Sequence, residues 1–148
     1  MNLRTATLDD LAPLLRMHRA FFEEEGYPYR ADVFERALRD LITNDVLGRA
    51  VLIEDDGATI GYLIVAFGFS IEFGGRDAFL DELYVTPDAR GRGAGTHALD
   101  EAERVCRENG IHALHLEVEF TNESAKRLYA RRGFDAHSRQ LMTKRFAQ

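Results

Sequence analysis

Apolar residues recur along this chain with two rhythms, and the change from one to the other outlines the fold. Leu11, Leu14, Leu15, His18 and Phe22 return at helical spacing, so one face of a helix looks inward. Thr7 with Asp10 forms a capping-box-like start, and Gly26 with Pro28 ends the run. Val33, Phe34, Ala37, Leu38 and Leu41 repeat the pattern and predict a second helix from about Ala31 to Thr43. A short strand over Asn2 to Ala6 precedes both helices.

Strand-like runs follow. Ala50 to Glu54 and Thr59 to Phe73 are joined by Asp56-Gly57, a hairpin signal, and Gly74-Gly75 returns the chain into a strand ending at Val85. These strands form an antiparallel meander. Helical spacing resumes with Ala98, Leu99, Ala102, Val105 and Cys106 facing inward, closed by Asn109-Gly110. From His112 to Glu119 the chain alternates, with Leu114, Leu116 and Val118 on one face and His115, Glu117 and Glu119 on the other. A last helix, about Glu123 to Arg131, carries Ala125, Leu128 and Tyr129 on one side; Gly133 caps it, and two short strands finish the chain. The predicted class is α/β, one domain over residues 1–148, in the order β-α-α-β-β-β-α-β-α-β-β. The strand–helix–strand unit after Val85 should be parallel and right-handed.

Composition narrows the function. The 148 residues, 45% hydrophobic and 30% charged, suit one globular domain. No run approaches a membrane span and the N-terminus has no signal-peptide pattern, so no membrane partner and a cytoplasmic location are expected. A lone cysteine, Cys106, excludes an internal disulfide framework. A net charge of −6 argues against a nucleic-acid partner. Any anionic ligand must therefore meet a local basic patch, available in Arg90, Arg92, Lys126, Arg127, Arg131 and Arg132.

Arg90-Gly91-Arg92-Gly93-Ala94-Gly95-Thr96 joins the strand ending at Val85 to the next helix. Alternate glycines leave main-chain N–H groups bare, and the helix start adds unpaired donors and the positive end of its dipole. A phosphate-bearing ligand fits such a loop. The string lacks the Gly-Lys-Ser/Thr of a Walker loop, and its G-x-G-x-G spacing departs from the G-x-G-x-x-G of dinucleotide sites.

Arg90-x-x-Gly93-x-Gly95, preceded by Leu83-Tyr84-Val85-Thr86-Pro87, resembles the acetyl-CoA loop of the GNAT superfamily of N-acetyltransferases. A second block, Asn122 to Phe134 with Ala125, Leu128, Tyr129 and Gly133, is similar to that family's downstream motif. The resemblance spans Phe79 to Phe134, and the N-terminal third fits in outline only. It implies a GNAT-like mixed sheet and acetyl-CoA as cofactor, with coenzyme A as product. It also implies that Leu83, Tyr84 and Val85 lend backbone groups to the pantetheine, that Arg90, Gly91, Arg92, Gly93, Ala94, Gly95 and Thr96 hold the pyrophosphate, and that Asn122 contacts the pantetheine. Ala94 stands where a larger aliphatic residue is common. Dimers are frequent in the family, so a homodimer is a further expectation.

Acetyl transfer to an amine needs a base, an oxyanion donor and a proton for the departing sulfur. Tyr129, with a phenol pKa of about 10, is the candidate acid, and the resemblance implies a place near the thioester sulfur. Two carboxylates contend for the base. Glu82 lies on the strand before the loop, where strict alternation gives it a face shared with Leu80 and Tyr84 and sends Asp81 to the other side. Glu117 stands at the spacing before Tyr129 that resembles protein-acetylating members of the family. Metal ligation by His112, His115, Glu117 and Glu119 is disfavoured because His112 falls on the opposite strand face. Cys106 and His18 read as core residues, and His97 as a surface or pocket-rim residue. The Phe21 to Tyr27 segment, two aromatics then three acids, suits a cationic amine if it lines the acceptor cleft. The expected activity is therefore acetyl transfer to a small primary amine; a peptide amine, and a non-catalytic acyl-CoA-binding module, are the alternatives.

Overall fold

The computed structural model describes residues 1–148. Five strands, β1 (Asn2–Thr5), β2 (Gly48–Asp55), β3 (Ala58–Ser70), β4 (Gly75–Val85) and β5 (Ala113–His115), lie in chain order across one sheet. Pairing is antiparallel from β1 to β4, and β4–β5 is parallel. Helices α1 (Leu11–Glu25) and α2 (Ala31–Thr43) precede β2, α3 (Ala94–Glu108) connects β4 to β5, and α4 (Glu123–Arg131) follows. This is the expected α/β class, with the meander and the parallel crossover in place.

The sheet is buried on both faces, which is why Val51, Leu52 and Ile53 are all fully inaccessible. Their alternation feeds two cores. Val51, Ile53, Leu63, Val65, Ala78 and Leu80 pack beneath α3, with Leu128 and Tyr129 of α4 against them. Leu52, Tyr62, Ile64 and Tyr84 pack on the other face with Leu14 of α1 and Leu38 of α2. Truncating a fully buried leucine such as Leu14 to alanine should cost about 2–5 kcal/mol.

One irregularity decides how the β4 side chains are dealt between these cores. Ile64 pairs with Glu82 but Val65 pairs with Leu80, leaving Asp81 as an extra residue in the ladder. This bulge breaks the alternation. Glu82 keeps the Tyr84 face, but Leu80 is turned to the α3 side. The face sharing of Glu82 with Leu80 expected from strict alternation is therefore wrong, because that pattern assumes an unbroken ladder.

The bulge also parts β4 from β5. Their pairing runs from Asp77↔Ala113 to Phe79↔His115 and stops before Asp81. The strand expected to Glu119 accordingly shortens to three residues. The two closing strands expected after Gly133 do not form: residues 135–148 carry neither helix nor strand, since so short an edge offers them no ladder. Arg139 ties this segment to the β3–β4 turn through both carboxylate oxygens of Glu72, at 2.9 and 3.0 Å.

Candidate active site

A short turn at Pro87–Ala89 carries the chain from β4 into the glycine loop. Gly91 (φ 79°) and Gly93 (φ 86°) adopt the left-handed conformation that side chains resist. Buried Ala89 and Ala94 anchor the two ends of the loop in the α3 core. No N–H group from Gly91 to Thr96 has a backbone acceptor in the chain; the first helical bond runs from His97 to Gly93. No side chain caps α3 either. A methyl group added at Gly91, Gly93 or Gly95 would meet no atom within 4 Å, so nothing crowds the loop at the side-chain positions of these glycines. Unpaired donors at a helix start, open above and free of side chains, fit a pyrophosphate.

The arginines are placed less simply than their neighbours in sequence imply. Arg90 donates to the Val85 carbonyl at 2.9 Å and to Glu24 at 2.7 Å, with its guanidinium 5.7 Å from the Tyr84 ring centre. That pair holds the Glu24 carboxyl below its usual range. Arg92 lies 3.7 Å from Asp55, Lys126 pairs with Glu123, and Arg132 pairs with Asp100. Acidic residues thus already balance much of the basic patch.

Beside the loop is a groove of about 280 Å³ lined by Phe21, Glu24, Glu25, Leu83, Tyr84, Val85 and Arg90. The end of α1 forms one wall and the last residues of β4 form the other. Because β5 pairs no further than Phe79, the β4 edge beyond the bulge has no strand beside it. The Phe21–Tyr27 segment does therefore reach a cleft next to the glycine loop.

Glu82, one residue before this groove-lining stretch, is 16% exposed and held through both oxygens. The Tyr62 hydroxyl donates to Oε1 at 2.9 Å, and His18 Nε2 lies 3.3 Å from Oε2. Burial and the charge of Glu82 push the Tyr62 phenol far above its ordinary value, so it remains a donor. Asp81, the bulged residue, lies in a crevice that is still open to solvent. Desolvation there, together with the charges of Glu82 and Glu117, raises its pKa. Glu117 itself is exposed beyond the end of β5.

Of the remaining candidates, Asn122 caps α4, its side-chain oxygen accepting from Ala125 N–H at 3.1 Å while its amide nitrogen stays available. Tyr129 is half-buried against the α3 core with Phe134 at 5.8 Å, and burial raises its phenol. His115 binds Asp77 at 3.0 Å. His18 is buried as expected, but its partner was missed: Glu82 lies on a distant strand, and no local pattern connects the two.

The family description "Acetyltransferase (GNAT) family" matches residues 11–134. The uncharacterized N-acetyltransferase YhfO of Bacillus subtilis is 30% identical over 138 residues, covering 91% of this chain and 90% of that one. The thialysine N-epsilon-acetyltransferase of Mus musculus is 29% identical over 140 residues, covering 86% and 80%. Among solved structures, an integron cassette protein from the mobile metagenome of Cole Harbour Salt Marsh superposes with a TM-score of 0.87 at 34% identity, covering 99% and 91%. A predicted acetyltransferase with acetyl-CoA from Clostridium acetobutylicum shares the fold at a TM-score of 0.81 and 21% identity, covering 97% and 95%. With most of the chain matched and the loop, crossover and mixed sheet in place, this protein is an N-acetyltransferase and belongs to the GNAT family.

Proposed function

We propose that the enzyme transfers an acetyl group from acetyl-CoA directly to the primary amine of a small cationic acceptor, with Glu82 as general base and Tyr129 as general acid. One observation carries the reading: Glu82 is fixed by Tyr62 and His18 on the strand that runs into the glycine loop, beside a groove edged by Glu24 and Glu25. The mouse relative, named for the N-epsilon amine of thialysine, supports a cationic amine at 29% identity.

Residues 91–96 would hold the pyrophosphate through main-chain N–H groups, with the Thr96 hydroxyl as a further donor. The free edge of β4 at Leu83 and Tyr84, and the Asn122 amide, would hold the pantetheine. The Val85 carbonyl is already engaged by Arg90, so Val85 would contribute through its side chain at the groove. Bound there, acetyl-CoA supplies an activated carbonyl and a thiolate leaving group.

The chain's own residues then supply the base and the acid. An alkylamine of pKa about 10.4 is neutral in about one molecule in 10³ at pH 7. Glu82, with lone pairs left over after Tyr62 and His18, accepts the ammonium proton directly or through a water. That step offsets about 4–5 kcal/mol. Tyr129, kept protonated by burial, donates to the sulfur as the C–S bond breaks, and the second proton that the nitrogen loses as the amide forms returns to Tyr129 through solvent. Glu24 and Glu25 make the approach negative, which favours a cation, while Phe21 and Tyr84 offer aromatic faces.

The test is release of free thiol from acetyl-CoA with diamines, amino sugars, lysine-like amino acids and peptides as acceptors. Release is expected with a small cationic amine and should be lost in Glu82→Gln. Silence across the whole panel, or full turnover by Glu82→Gln, would overturn the reading; exclusive use of peptides would move the function to protein acetylation.

A further inference from the structure

We propose that His18 is a positioning residue for catalysis, steering the Glu82 carboxylate into its proton-accepting orientation through Nε2, which lies 3.3 Å from Oε2; this rests on the reading of Glu82 as the base. His18 lies on the inner face of α1 and is 4% exposed. Its ring is surrounded by Phe22 at 4.5 Å, Phe34 at 5.0 Å, Tyr29 at 5.7 Å and Tyr62 at 6.5 Å between centres. In that aromatic box a phenylalanine would pack without burying a polar atom. The polar contact made by the imidazole is Nε2 to Glu82 Oε2 at 3.3 Å.

The second nitrogen fixes the protonation state. Nδ1 is buried and has no hydrogen-bond partner. A doubly protonated ring would leave an N–H donor buried there with no acceptor, whereas the Nε2–H tautomer leaves only a lone pair. His18 is therefore a neutral, one-sided donor.

Its effect is geometric. Tyr62 from β3 donates to Oε1 and His18 from α1 lies against Oε2, so each carboxylate oxygen has its own neighbour. Glu82 reaches α1 because it shares the Tyr84 face of β4, while the bulge at Asp81 turns Leu80 to the opposite side. Other titratable or charged groups face the pair: Asp81 and Tyr84 on β4, Tyr29 with Arg19 and Glu35 near it, and Glu117 beyond β5.

The experiment compares His18→Phe, which fills the box without a donor, with His18→Gln, which restores an N–H at similar reach. Coenzyme A affinity should match wild type in both, and thermal stability should match it in His18→Phe. In His18→Phe, kcat should fall about 10- to 100-fold. The acidic limb of its kcat/KM profile should move up, as expected when the carboxylate loses a polar neighbour. His18→Gln should recover at least part of kcat and return the limb toward wild type. The same shift should persist in an Asp81→Asn background, where Asp81 cannot set the limb. Nitrogen NMR of labelled His18 should report the Nε2–H tautomer. Wild-type kcat and pH profile in His18→Phe, or disappearance of the shift with Asp81→Asn, would overturn the inference. If Glu82→Gln is inactive while His18→Phe is normal, only the role of His18 fails; if Glu82→Gln retains turnover, the base reading fails with it.

Discussion

Glu24 and Arg90 meet at 2.7 Å, tying the end of α1 to the residue that opens the glycine loop. The pair sits at the groove, so a carboxylate from the acceptor side occupies an arginine expected on the phosphate side. Both side chains are more than two-fifths exposed, and exposed pairs contribute only about 0–1 kcal/mol. Glu24 is therefore a weak competitor for any anion that reaches Arg90.

Glu24→Gln should free Arg90 and tighten coenzyme A by up to about fivefold at low salt, a gain that shrinks as ionic strength rises. Calorimetric titration at two salt concentrations checks this. An unaltered Kd would mean that Arg90 contributes nothing to phosphate binding and serves only to close the groove.

Gly93 and Gly95 separate backbone strain from ligand contact. Gly93 has φ 86°, and placing an alanine there costs about 1–2 kcal/mol, or a Tm lower by about 2–8 °C. Gly93→Ala should also weaken coenzyme A about tenfold or more, because relief of the strain turns the amides away. Gly95 is not in that conformation and faces open space. Gly95→Ala should thus keep the wild-type Tm while still losing affinity. Equal affinity in Gly95→Ala would place the phosphates elsewhere on the loop.

Arg4 links three elements near the chain start. It donates to both oxygens of Asp10 at 2.9 Å and to Glu54 at 2.6 Å, and Asp10 accepts in addition from Thr7 N–H. The Arg4 contact, foremost, lowers the Asp10 pKa from 3.8 to about 2. Since the folded value lies below the unfolded one, the stabilisation is complete above about pH 4 and is lost as pH falls through about 2. Arg4→Met should raise the acid-unfolding midpoint, followed by circular dichroism between about pH 2 and 5, by about one pH unit. A variant curve parallel to wild type would show that Asp10 is not a site of proton uptake on unfolding.

What the chain announces locally survives into the structure, and what depends on a distant partner does not. The apolar runs of β2 and β3 with their Asp56-Gly57 turn, the helical rhythm of α1 and α3, and the glycine loop are properties of neighbouring residues, and each forms, with β3 ending at Ser70 rather than Phe73. The bulge at Asp81 is different: it exists in the register between β3 and β4, so nothing within Phe79-Leu80-Asp81-Glu82 reveals it. The contacts of His18 with Glu82 and of Arg90 with Glu24 are invisible for the same reason, each joining α1 to the β4 region across the fold. Leu116 to Glu119 have the alternation of a strand but no partner beyond Phe79, and pattern alone cannot supply one.

Tyr129 provides the sharpest check on the proposed chemistry. Its ring packs half-buried on the α3 core and beside Phe134, so removing only the hydroxyl leaves those contacts intact. Burial raises the phenol above its ordinary value, which keeps the proton in place across the working pH range and puts no basic limb from Tyr129 below about pH 10. Tyr129→Phe should leave Tm and coenzyme A affinity unchanged while kcat falls about 10²-fold or more, the usual contribution of a positioned acid. The loss should be smaller with an acyl donor whose thiol leaves more readily, since that sulfur needs less help from a proton. A uniform loss with every donor would place the hydroxyl in binding rather than in proton transfer, and no loss at all would remove Tyr129 from the mechanism.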